Sequence, residues 1–223
     1  MDETDFRVRS AQRKRQKMRA RLLTATMDVC GGAGAGAGNP AVIDDVIRAA
    51  GVSRGTFYKY FASLEEARLA LGQHLTNELV EGLASMFDQV RDPVRRTASG
   101  WIVIMLRAAF DPAWGAFVVR TEHFTEDSEL LAAVRRNTLA GMDSGAFQLD
   151  RVDAAVDYQI GVAMEGMRRL ISDGTEATAY VATLTALGLR GLGLDGRRAR
   201  GAAAAALQDV TTRAPQFLPW WRS

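Results

Sequence analysis

The chain has 223 residues, 48% of them hydrophobic, which is enough to bury a core without staples. Its net charge of +2 is unevenly spread, because residues 1–63 hold 11 Lys/Arg against 6 Asp/Glu while the rest of the chain is slightly acidic. One cysteine, Cys30, excludes an intramolecular disulfide, and two well-separated histidines, His74 and His123, offer no cluster for zinc, so no metal and no cofactor are expected.

The first element is a basic arm. Arg7, Arg9, Arg13, Lys14, Arg15, Lys17, Arg19 and Arg21 run into a helix whose apolar stripe is Met18, Leu22, Ala25 and Val29. The first ten residues are expected to lack structure on their own. Residues 31–38, GGAGAGAG, contain a relaxed G-x-G-x-x-A pattern, but no strand precedes it and no Gly-Lys-Ser/Thr follows. The run therefore reads as a connector, after which Asn39 and Pro40 suit the N-cap and first position of a helix.

Ile43, Val46, Ile47 and Ala50 fall at helical spacing, with Asp44, Asp45 and Arg48 turned outward. Gly51 can close that helix in the left-handed conformation, and Ser53 can cap the next one, from Ser53 to about Tyr60. Two helices joined by so short a glycine turn form a helix-turn-helix, whose second helix can enter a DNA major groove. Arg54 and Lys59 supply cations, Thr56 and Tyr58 supply hydroxyls for phosphate, and Gly55 permits close backbone approach. Val52, Phe57 and Phe61 are the inward anchors. An ordinary surface αα-hairpin is the competing reading, and it leaves this concentration of bases and hydroxyls without a purpose.

The run AAGVSRGTFYKYFASLEE, residues 49–66, resembles the DNA-binding signature of TetR-family transcriptional regulators. The family usually opens the first helix of the motif with a threonine pair and has a lysine after the serine; here those positions hold Ala41, Val42 and Leu64. The resemblance implies that Arg54, Gly55, Thr56, Tyr58, Lys59 and Tyr60 sit at the DNA. For the arm, Arg13 and Arg15 are taken as phosphate or minor-groove contacts, with a solvated face as the alternative.

Ser63 can cap a long helix with Leu64, Ala67, Leu71, Leu75, Leu79, Leu83 and Phe87 on one seam, ending near Asp92-Pro93. Further helices are expected near 94–110, 112–122, 128–141, 151–172, 176–192 and 196–212, with breaks at Pro112, 141–145, Gly174 and 191–196. No period-two segment appears. The fold class is thus all-α, with an N-terminal helix-turn-helix domain over 1–63, a linking helix over 64–91 and a C-terminal helical domain over 93–223, for which the resemblance implies ligand binding and dimerisation.

No residue pattern assembles into an enzyme. Gly141, Ser144 and Gly145 miss the spacing of a nucleophile elbow, and Glu122-His123 lacks a second histidine for a metalloprotease helix. No apolar run approaches the ~20 residues that span a bilayer, and the charged N-terminus is unlike a signal peptide, so a cytoplasmic protein without a membrane partner is expected. Trp101, Met105, Phe110, Trp114, Phe117 and Phe124 crowd together, and Met164 and Met167 add adaptable surface. They read as core or as pocket, and the resemblance implies an effector cavity in this region. Gly161, Ala163 and Gly166 permit close helix approach while Val156, Ile160, Leu184 and Leu187 offer apolar area, a composition suited to a two-fold four-helix bundle. The expected function is a homodimeric repressor released from a double-stranded DNA operator by a small, largely apolar effector. The alternative is a helical adaptor whose basic head binds a protein or an acidic surface.

Overall fold

A computed structural model describes residues 3–32, 41–120, 128–173 and 176–221. Asn39, Pro40, His123, Phe124, Gly174 and most of the glycine run lie outside the described residues. The described chain is all-α and divides into two compact units, Met1–His74 and Leu75–Ser223.

The first unit contains α1 (Glu3–Gly31), α2 (Ile43–Ala50), α3 (Arg54–Tyr58) and the first turns of α4 (Leu64–Met86). α1 is helical from Glu3, where the sequence reading gives the first ten residues no structure. Nothing between Asp2 and Cys30 is Gly or Pro, and Arg, Lys, Gln and Ala are good helix formers, so the stripe's helix propagates back through the basic arm. Its buried face is Leu22, Leu23, Ala25, Thr26 and Cys30, while Met18 and Val29 are half-buried. The Thr26 hydroxyl satisfies itself by donating to the Leu22 carbonyl at 2.8 Å.

α2 begins without a side-chain cap, since Val42 has no polar group; the Asp45 carboxylate instead accepts from the Val42 N–H at 3.4 Å. Gly51 closes α2 at φ 58°, ψ 44°, and its N–H donates to the Arg48 carbonyl. Ser53 Oγ accepts from the Thr56 N–H at 3.1 Å and caps α3, and Ser63 Oγ accepts from the Glu66 N–H at 3.0 Å and caps α4. Val46, Ala50, Phe57, Phe61, Ala67 and Leu71 complete this core.

The second unit is built around α5 (Pro93–Phe110), buried along most of its length as its nearly unbroken apolar sequence from Trp101 to Leu106 requires. Packed on it are α6 (Pro112–Arg120), α7 (Glu129–Asp143), α8 (Val152–Asp173), α9 (Ala177–Gly191) and α10 (Gly196–Phe217). α4 stops at Met86, short of the end near Asp92-Pro93 that the sequence suggests, and the Phe87 carbonyl just beyond it accepts from the Val90 N–H at 3.0 Å and from Arg96 of α5 at 3.2 Å. α10 continues beyond residue 212 and through Pro215. In the last turn a proline removes only one hydrogen bond, and burial of Ala214 and Leu218 holds the end in place. Beyond it Trp221 meets Phe110 edge-on at 5.2 Å, and Trp220 stacks under the Arg107 guanidinium at 4.5 Å. Among the described residues no single helix is long and apolar enough to cross a membrane.

Candidate functional site

In the first unit, α3 divides its side chains cleanly between core and surface. Phe57 is fully buried and lies 5.9 Å from the Phe61 ring, which anchors the helix. Arg54, Gly55, Tyr58 and Lys59 are exposed, and Thr56 and Tyr60 are half-buried. A Cβ built on Gly55 would meet nothing within 4 Å, so the backbone there is open to an approaching surface. Arg54 pairs with Asp44 of α2 at 3.2 Å, an exposed pair weak enough for a phosphate to displace. Thr56 shares a hydroxyl contact of 2.9 Å with Ser53, which orients it beside the cap.

Arg13 and Arg15 are exposed on α1. Two other cations of the same arm have structural roles. Arg19 lies over the Phe61 ring at 5.7 Å, and the tip of Arg21 comes so near Gly51 that a Cβ there would lie 2.9 Å from it. Charge counting along the sequence could not separate these two from Arg13 and Arg15, because the separation depends on which face of α1 meets α2.

In the second unit, α4, α5, α7 and α8 line a partly open cavity of about 260 Å³. Trp101, Met164 and Met167 line it. Met105 does not: it is fully buried over Gly166, where a Cβ would lie 2.4 Å from its sulfur. Trp114 and Phe117 are buried outside the cavity wall, Trp114 beneath Arg107 at 5.5 Å, and Phe110 packs on Trp221. Leu79, Leu83 and Phe87, which the sequence presents as an ordinary seam, form the α4 side of the wall.

The polar part of the wall was missed in the sequence. Thr97, Asn137 and Gln159 line the cavity together with Arg96 and Arg136, and no carboxylate joins them among the described residues. Trp101 Nε1 donates to the Gln159 main-chain carbonyl at 3.1 Å, so the indole turns only apolar surface to the space. A glutamine between Tyr158 and Ile160 carries no sequence signal, since its burial is set by α7 packing against α8.

The residues proposed for self-association separate into inner and outer sets. Ile160 and Ala163 belong to the cavity wall, and Gly166 is filled from within by Met105 and Leu184. The small size of Gly166 thus serves intramolecular packing and Ala163 faces the cavity, a correction to their reading as points of close approach by a second chain. Gly161 is exposed, Val156 is half-buried, and Leu187 is 52% exposed on α9. Tyr158, 39% exposed, lies across α9 with its hydroxyl donating to the Gly188 carbonyl at 3.3 Å.

No protein-family model matches the chain, and no curated protein matches it. Solved structures do. RolR in complex with resorcinol is 24% identical, covering 86% of this chain and 96% of its own, with a TM-score of 0.64. The fatty acid degradation regulator FadR from Bacillus halodurans is 22% identical over 80% of this chain and 97% of its own, with a TM-score of 0.65. A TetR-family transcription regulator from Shewanella sp. PV-4 is 15% identical over 80% of this chain and 99% of its own, with a TM-score of 0.66. The helix-turn-helix head, the helical body and these full-length matches agree: the chain has the fold of the TetR-family transcription regulators.

Proposed function

We propose that this protein is a homodimeric transcriptional repressor that leaves a palindromic operator when a small, largely apolar effector occupies the cavity of its second unit. The observation that carries the reading is α3, where a fully buried Phe57 fixes a short helix whose outer face offers Arg54, Thr56, Tyr58 and Lys59 around an open Gly55. RolR, which shares the fold, was solved with resorcinol, and that lends support to a small-molecule role for the cavity here. In this reading the domains are 1–63 for DNA, with α4 as the link, and 93–223 for effector and dimer contacts. Self-association is assigned to the outer faces of α8 and α9, where Gly161 and Leu187 are exposed.

The test is a gel-shift titration of the DNA upstream of the protein's own gene against random DNA of equal length. Retardation at least ~10³-fold tighter on the upstream fragment supports a sequence-specific regulator. Equal affinity for the two would return the protein to the adaptor class. Binding should weaken steeply with salt, each neutralised phosphate adding ~0.9 to the log–log slope.

A further inference from the structure

The amide groups of the cavity wall restrict what it can hold. Gln159 is buried, 3% exposed, and its Nε2 donates to Thr138 Oγ1 at 2.7 Å and to the Ala155 carbonyl at 3.1 Å. The Thr138 hydroxyl spends its own proton on the Val134 carbonyl at 2.8 Å, so towards Gln159 it can only accept. Both partners of Gln159 therefore demand the nitrogen, and the amide has one orientation. Its carbonyl oxygen receives no hydrogen bond among the described residues.

Asn137 repeats the pattern on α7. Its Nδ2 donates to the Pro93 carbonyl at 3.0 Å and to Thr97 Oγ1 at 2.8 Å, and a main-chain carbonyl can only accept. Its carbonyl oxygen is likewise left without a donor among the described residues. The Trp101 N–H, another donor in the wall, is already committed to the Gln159 main chain. Two amide carbonyls thus belong to a wall that is otherwise mostly apolar, each an acceptor that a donor on the occupant can match.

We infer that the occupant is an uncharged, compact molecule with an apolar body and at least one hydroxyl, a phenol or a small alcohol, that donates to Gln159 or Asn137. The inference rests on the reading of this cavity as the effector site. An ionised carboxylate has acceptors only and would set oxygen against oxygen there. Arg96 and Arg136 are exposed, so they supply donors to the hydroxyl oxygen from the solvent side without requiring a charged ligand. Size agrees: a cavity of 150 Å³ holds benzene, and 260 Å³ suits one ring with substituents.

The test compares toluene, 4-methylphenol and 4-methylbenzoate by calorimetry on the full chain. 4-Methylphenol should bind at least ~10-fold tighter than either of the others, because a site built to meet a hydroxyl rejects the analogue without it. Gln159→Met and Asn137→Leu, each checked for native circular dichroism, should reduce that preference, and either one suffices if the other fails to fold. Tighter binding of the benzoate, a preference that survives both substitutions, or no binding of the phenol at millimolar concentration overturns the assignment. Operator retardation without any ligand is measured in parallel. A protein that still retards its operator while failing these tests loses the ligand class and keeps the DNA-binding role.

Discussion

Replacing Phe57 with alanine should melt the first unit while sparing the second. Phe57 has no exposed surface and packs against Phe61 at 5.9 Å, in a core whose other members are mostly Leu, Val and Ala. A buried Phe→Ala change costs ~3–5 kcal/mol when the site cannot collapse, and a helix as short as α3, Arg54–Tyr58, has little else to hold it. The unit Met1–His74 is small enough that its whole stability should be ~4–11 kcal/mol, so the loss is a large fraction of it. At ~4–8 °C per kcal/mol for a domain of this size, its transition should fall by at least ~12 °C. Differential scanning calorimetry with far-ultraviolet circular dichroism resolves the transition, and operator binding should vanish at temperatures where the second unit remains folded. A transition that moves by less than ~4 °C would refute the assignment of Phe57 as the anchor of α3.

Lys59→Ala and Tyr58→Phe should each weaken operator binding without lowering the melting temperature, since both side chains are exposed; unchanged affinity for both in a gel shift removes α3 from the DNA. Leu187→Arg places a charge on the exposed face of α9 and should convert a sedimenting dimer to monomer, whereas a variant that stays dimeric moves the interface elsewhere. Asp195 caps α10, and hydrogen bonds from the Arg198 and then the Arg197 N–H hold its carboxyl below the ordinary 3.8. Its folded value is depressed, so its stabilising contribution is complete above pH 3.8 and is lost as pH falls through the folded value. Asp195→Asn keeps a cap that cannot titrate, and its urea midpoint should therefore fall less than the parent's below pH 4.

The parts of this fold legible in the sequence were those governed by local rules. Gly51 and Ser53 mark the turn between α2 and α3, and Ser63 the start of α4, by capping chemistry, and the structure realises those ends within a residue or two, whereas α4 ends at Met86 rather than near Asp92-Pro93, where Asp92 instead caps α5. The seam of α4 was legible for the same reason, its period being set by the helix itself. What the cavity contains was not legible. Trp101, Trp114, Phe117 and Met105 are equally apolar in the sequence, and only the crossing of α5 with α8 decides that Trp101 faces open space while Met105 fills the notch at Gly166. Gln159 and Thr138 are ordinary polar residues of amphipathic helices until α7 and α8 pack and bury them as a pair.

Filling the cavity from within separates occupancy from any particular ligand. Ala163 is 6% exposed and lines the space, so Ala163→Leu adds three carbons directed at existing volume. If that volume is open in the folded chain, the added methylenes gain up to ~0.8 kcal/mol each and the melting temperature rises. In a closed core the same change would instead cost ~1–3 kcal/mol through overpacking, so the sign of the shift is decisive. The consequence for DNA depends on a different quantity. A hundredfold release needs ~2.7 kcal/mol of preference for the released conformation, and a side chain that fits both conformations equally shifts nothing. Because Leu79, Leu83 and Phe87 at the end of α4 form one wall, bulk placed at Ala163 presses towards the helix that is also the covalent link to the first unit. Ala163→Leu should therefore weaken operator binding in the absence of effector and blunt the response to effector when it is added. A variant that is stabilised, still binds the operator at the parental affinity and still responds fully to a saturating ligand would detach the cavity from the switch.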